Sequence, residues 1–158
     1  MSESPKEQMA AMRLQALKYS IKNLAEAPPS SQSVFGVLID WPYTGEVFTI
    51  VSLSDGNASL YSTTNFGIIG GFFHPKVAKV AKELVTLANP LLSKTQLTED
   101  FSLPKSDQVK FFFLTDRGTH VFIIPLEQLV DQNSKSPFKN LFFKAHDLFK
   151  ELRTIADV

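Results

Sequence analysis

Four consecutive polar side chains, Ser62, Thr63, Thr64 and Asn65, lead into the glycine-rich run Gly67-Ile68-Ile69-Gly70-Gly71 and then into His74-Pro75. Hydroxyls and an amide exchange hydrogen bonds, and glycines let a backbone approach a ligand closely. Pro75 suits the first turn of a helix, whose free N–H groups favour an anion. The chemistry implied is recognition of a small ligand or anion by Thr63, Thr64, Asn65, Gly67, Gly70, Gly71 and His74, the histidine adding a titratable donor. The run is not a phosphate loop, since Gly-Lys-Ser/Thr is missing, and its glycine spacing is not that of a dinucleotide fingerprint. The competing reading is a plain strand-to-helix turn. In that case Gly70 and Gly71 take positive φ, and Ile68, Ile69, Phe72 and Phe73 plug the core.

Elsewhere the chemistry-bearing residues are scattered. His74, His120 and His146 form no His-x-x-x-His or His-x-His pair, and the chain has no cysteine, so no metal site, cofactor or catalytic residue is assigned. Asp40, Asp116 and His120 meet only if their strands are neighbours in the right register. Trp41 and Tyr43 fall in a hairpin turn, where they are either interface anchors or folded back over the end of the sheet. Along the N-terminal helix Ala10, Leu14, Leu17, Ile21 and Leu24 draw one narrow apolar stripe, which either packs on the protein's own sheet or forms a seam for another helix.

The elements that must position these residues follow from periodicity and turn signals. A helix is expected from residue 5 to residue 26, then a hinge at 27–32 around Pro28-Pro29, then a core over 33–155 in a single domain of 158 residues. Strands are expected at 33–40, 46–53, 58–62, 109–114 and 119–124. Asp55-Gly56 is read as a two-residue type I′ turn, and Thr115 to Gly118 as a second hairpin. The strand at 58–62 alternates small polar and apolar residues like an edge strand, whereas those starting at Val34, Val109 and Thr119 are apolar enough for the middle of a sheet. Residues 93–107 read as a loop anchored by Leu97, Phe101 and Leu103. Helices follow Pro75 and Ser136-Pro137, the last with Phe138, Leu141, Phe142, Ala145, Leu148, Phe149 and Leu152 on one face, and a short one lies at 125–130. The expected class is α+β, a mostly antiparallel five-stranded sheet with helices on both faces, in the order α-β-β-β-α-β-β-(short α)-α.

That order resembles the longin and roadblock group of profilin-like domains over residues 34–153, and the resemblance implies a partner-binding platform. NASLYSTTNFGIIGGFFHP, LPKSDQVKFFFLTDRG and SPFKNLFFKAHDLFKELR together resemble a family of small uncharacterised bacterial proteins, which brings no function and no site residues with it. Lys+Arg and Asp+Glu balance at 16 each, which argues against a nucleic-acid partner, since phosphate binding needs concentrated positive charge. No stretch is apolar enough for a signal peptide or a membrane span, so a cytoplasmic protein is expected. The function expected is a non-enzymatic protein-interaction or regulatory module. Its surfaces are Leu14, Leu17, Ile21, Leu24, Trp41 and Tyr43, and its partner is another protein or a second copy in a homodimer. The alternative is a ligand or anion sensor built on residues 63–74.

Overall fold

The computed structural model describes residues 4–30, 32–64, 67–71 and 73–156. Over these residues it is an α+β fold built on one antiparallel sheet of seven strands: β1 (Val34–Tyr43), β2 (Glu46–Leu53), β3 (Ala58–Ser62), β4 (Gly67–Gly70), β5 (Gln96–Leu97), β6 (Gln108–Thr115) and β7 (Gly118–Pro125). Their order across the sheet is β4-β3-β2-β1-β6-β7-β5. Four α-helices accompany them: α1 (Pro5–Leu17), α2 (Pro75–Ala88), α3 (Glu127–Val130) and α4 (Lys139–Ala156). The chain therefore runs α-β-β-β-β-α-β-β-β-α-α, with 3-10 turns at Ile21–Asn23 and Asn89–Lys94. Five strands were two too few, and the order that carried the longin and roadblock resemblance changes accordingly.

The two additional strands lie in segments that composition assigns to turn and loop. In β4 only Ile68 and Ile69 favour a strand, and Ile68 is buried against the core. Its glycines make room for helices. A Cβ on Gly67 would stand 2.7 Å from Met9 Sδ of α1, and one on Gly70 would stand 2.8 Å from Ile155 Cδ1 of α4. Because β4 pairs outside β3, every residue of β3 is buried and it is not an edge. β7 moves the other way. Its only outer neighbour is the two-residue β5, and Ile123 is left 46% exposed, so apolar content did not place β7 in the middle.

The turns also exchange roles. Thr44 (φ 48°) and Gly45 (φ 84°) form the type I′ connection between β1 and β2, so Trp41 and Tyr43 belong to the end of β1 and not to a turn. Pro42 is tolerated there because β1 pairs with β6 only as far as Asp40, leaving that margin of the strand unpaired. At Leu53 to Asn57 the Gly56 amide donates to the Leu53 carbonyl, and Gly56 alone has positive φ, 94°. This is a type I turn closed by glycine, a longer loop than the two-residue turn expected.

The sheet has two unlike faces. On one, α2 and α4 cover Val37, Ile39, Leu60, Phe111, Phe113 and Ile124, and the apolar face expected for α4 is buried except for the half-buried Phe149. Phe138 stacks on Phe122 at 4.0 Å and lies 5.1 Å from Phe111. On the other, α1 and Phe101 lie over Phe35, Leu38, Val51, Tyr61, Phe112 and Leu114.

α1 ends at Leu17, nine residues before the expected end at residue 26. Ser20 and Asn23 supply the reason. The Ser20 amide donates to Asn23 Oδ1 at 2.8 Å, a local bond that competes with helix and starts the 3-10 turn. The chain then drops onto the β2–β3 hairpin, where the Ala25 amide donates to Asp55 Oδ2 at 2.8 Å. Of the loop anchors expected in 93–107, Phe101 is half-buried, while Leu97 and Leu103 are 65% and 44% exposed.

Candidate functional site

Among the described residues the α1 face holds three of the four buried charged side chains, Arg13, Asp40 and Lys110, the fourth being Asp55 at the β2–β3 turn. α1 turns Arg13 inward beside Met9, Ala16 and Leu17, and β1 presents Asp40, fully buried, in register with Thr49 of β2 and Lys110 of β6. The Arg13 guanidinium donates to both Asp40 oxygens, with Nε at 3.1 Å from Oδ1. The Thr49 hydroxyl donates to the same Oδ1 at 2.6 Å. Arg13 Nη1 then donates to the Phe101 carbonyl at 2.7 Å, and Lys110 Nζ to the Ser102 carbonyl at 2.9 Å. Asp100 at the start of this segment is held below the usual carboxylate range, first by the Ser102 hydroxyl and then by the Ser102 amide. Bidentate pairing in a buried setting is the geometry in which a planar guanidinium holds best. Both Asp40 oxygens are engaged, so the group ties α1 and the 100–103 segment to the sheet.

Beside this clamp opens a cleft of about 430 Å³, walled by α1, by Phe101 and Leu103, and by the ends of β2 and β3. Tyr61 separates it from a smaller hollow of about 220 Å³. Burial pushes the Tyr61 phenol above its ordinary value, more than a hydrogen bond with Ser59 lowers it.

A third concavity, about 580 Å³, lies at the opposite end of the sheet, where Asp116, Arg117 and His120 meet Ser30, Ser33 and Thr115. The Thr95 hydroxyl donates to the Leu92 carbonyl at 2.6 Å, so its oxygen accepts from His120 Nδ1 at 3.0 Å and leaves Nε2 as the acceptor of the neutral ring. Asp116 and His120 thus share one concavity. Asp40 does not join them, because it lies under α1 in register with Lys110, at the far end of β6 from the Thr115 turn.

The residues of the glycine-rich crossing are dispersed. Thr63 lines the 430 Å³ cleft, and its oxygen accepts from the Val47 amide at 3.0 Å. Thr64 and Ser62 share a hydroxyl bond of 2.8 Å. Asn65 lies outside the described residues. Gly67 and Gly70 sit beneath Met9 and Ile155, and Gly71 has φ 141°. Gly70 is in a strand without positive φ, contrary to the turn reading. His74 is exposed and its side chain caps nothing at the start of α2.

Of the interaction residues, Leu17 is buried, Leu24 is half-buried, and Leu14 and Ile21 are 41% and 40% exposed, so the stripe is divided between core and solvent. Trp41 packs against α4, 4.6 Å from His146, 5.8 Å from Phe149 and 5.2 Å from Tyr43, which is 54% exposed. Sequence reasoning missed Arg13, Thr49, Lys110 and the pairing of Asp40. The one available signal was a lone carboxylate closing an otherwise apolar strand.

No family model, no curated protein and no solved structure matches this chain. Among the described residues no helix is long and apolar enough to cross a membrane, and no three His, Asp or Glu side chains gather as metal ligands.

Proposed function

We propose that the protein is a protein-interaction module that associates with a second copy of itself through the outer edge of β4. The observation that carries this reading is an unprotected edge. β4 is the last strand of the sheet, and neither Lys, Pro nor any other edge-blunting residue lies in Gly67–Gly70. Ile69 is 69% exposed on that strand and Phe73, just beyond it, is 94% exposed.

The absence of charge favours a second copy as partner. No Asp, Glu, Lys or Arg lies between Asp55 and Lys76. In a two-fold interface each residue near the axis meets its own copy, so a charged edge would repel itself and an uncharged one does not. Strand addition would extend the sheet through backbone hydrogen bonds, with Ile69 and Phe73 supplying apolar burial.

Sedimentation velocity over a concentration series tests the reading. A dimer is expected for the natural sequence, and Ile69→Lys, which sets a charge against its own copy, should return it to monomer. A natural sequence that stays monomeric at high micromolar concentration overturns self-association. A dimer that survives Ile69→Lys but dissociates with Ile21→Lys would move the seam to the exposed part of the N-terminal stripe.

A further inference from the structure

The cleft between α1, the 101–103 segment and β2–β3 has a lining of uniform character. Met9, Ala10 and Leu14 form one wall, Phe101 and Leu103 the other, and Val47 and Tyr61 lie between them. At about 430 Å³ it falls within the range of small-molecule sites, and like them it is mainly apolar with a few polar groups. Both lips carry exposed leucine, Leu14 at 41% and Leu103 at 44%. Met9 gives an unbranched side chain able to repack around a guest.

The charge in the lining has one sign. Lys6 and Arg13 are present and no carboxylate is. Arg13 is spent on Asp40 and the Phe101 carbonyl. Lys6 is exposed at the cleft, in the first turn of α1. Of the hydroxyls, Thr49 gives its proton to Asp40, whereas the Thr63 oxygen accepts from the Val47 amide and its own proton can still support an anion held by Lys6. A ligand matched to this arrangement has an unbranched or single-ring apolar body and one anionic head at the cleft mouth. We infer that the cleft binds a medium-chain carboxylic acid, its chain between α1 and Phe101 and its carboxylate at Lys6.

The inference is independent of association at β4, because Ile69 and Phe73 are not among the cleft residues. Isothermal titration of the full chain with octanoate, and separately with octanol, tests it. Octanoate should bind about tenfold more tightly than octanol, and Lys6→Glu should erase that preference. Ala10→Trp, a change at an exposed helical position of the cleft wall, should abolish binding of both. Leu14→Glu is a second variant, at an exposed lip residue, and should repel octanoate. Equal affinity for octanoate and octanol overturns the assignment of the head group. Absence of any octanoate binding, or binding unchanged in both Ala10→Trp and Leu14→Glu, overturns the site. Ile69→Lys should leave the octanoate isotherm unaltered.

Discussion

The two faces of the sheet solve the problem of burial differently. Under α2 and α4 the core is aromatic and aliphatic, with Phe138 stacked on Phe122 and the helices joined at their exposed side by Lys144 and Glu83, 2.8 Å apart. Under α1 the sheet buries an aspartate, an arginine and a lysine, and two concavities open beside them. Apolar burial is non-directional and stabilises in proportion to area, whereas a buried ion pair stabilises only while each partner keeps its geometry. The α2/α4 face is therefore the body of the fold. The α1 face specifies where one helix and one loop must sit, and it leaves space between them.

The comparison breaks first at the largest buried groups. Phe138→Ala should lower stability by about 3–5 kcal/mol in urea unfolding, with no second substitution that restores it. Asp40→Ala should be of similar size, about 3–5 kcal/mol, because it strands a buried guanidinium. Here rescue is expected. Arg13→Met, Asp40→Leu and Thr49→Val together remove the ion pair and the hydroxyl bonded to it, leave Lys110 on the Ser102 carbonyl, and should recover most of the loss. If the triple variant is no more stable than Asp40→Ala, the clamp is not an ion pair held against desolvation and the contrast between the faces fails.

A smaller effect is expected at the margin where the faces meet. Gly71 combines φ 141° with an approach that would bring a Cβ within 2.7 Å of the Asn57 Cα, so Gly71→Ala should cost more than about 1 kcal/mol. Gly70→Ala should cost less, because the ends of Ile155 and Leu152 are what it meets. Denaturation midpoints of the two variants compare them directly, and equal losses would show that the backbone at Gly71 is unstrained.

The smallest expected effect is a pH dependence at Tyr61. Its folded value is raised, chiefly by burial, so the folded state holds the phenol proton more tightly than the unfolded chain does. That contribution is fully present below the unfolded value, about 10, and is lost as pH rises above it toward the folded value. Stability measured from neutral to strongly alkaline pH should fall in that window. Tyr61→Phe should flatten part of the fall, and an unchanged slope would place the Tyr61 hydroxyl in solvent.

Elements whose burial repeats along one local period are legible in the sequence itself. α2 and α4 start beside Pro75 and Pro137 and bury most of the positions that their 3.6-residue spacing selects, with Val80 and Phe149 half-buried and Leu87 exposed, and the apolar run of β1 lies buried in the sheet interior. The class, an antiparallel sheet between helices, follows from those elements alone. β4 is not legible, because its glycines read locally as a turn, and only the approach of Met9 and Ile155 explains why glycine belongs in that strand. The end of α1 is not legible either, since Ser20 bonds to Asn23 where the apolar stripe continues unbroken. Least visible is the clamp of Arg13, Asp40, Thr49 and Lys110, which joins residues from α1, β1, β2 and β6. Periodicity reports which side of an element is buried. Which distant element covers it, and in what register a charge meets its partner, is decided only when the chain has closed, because those energies depend on contacts between residues far apart in sequence.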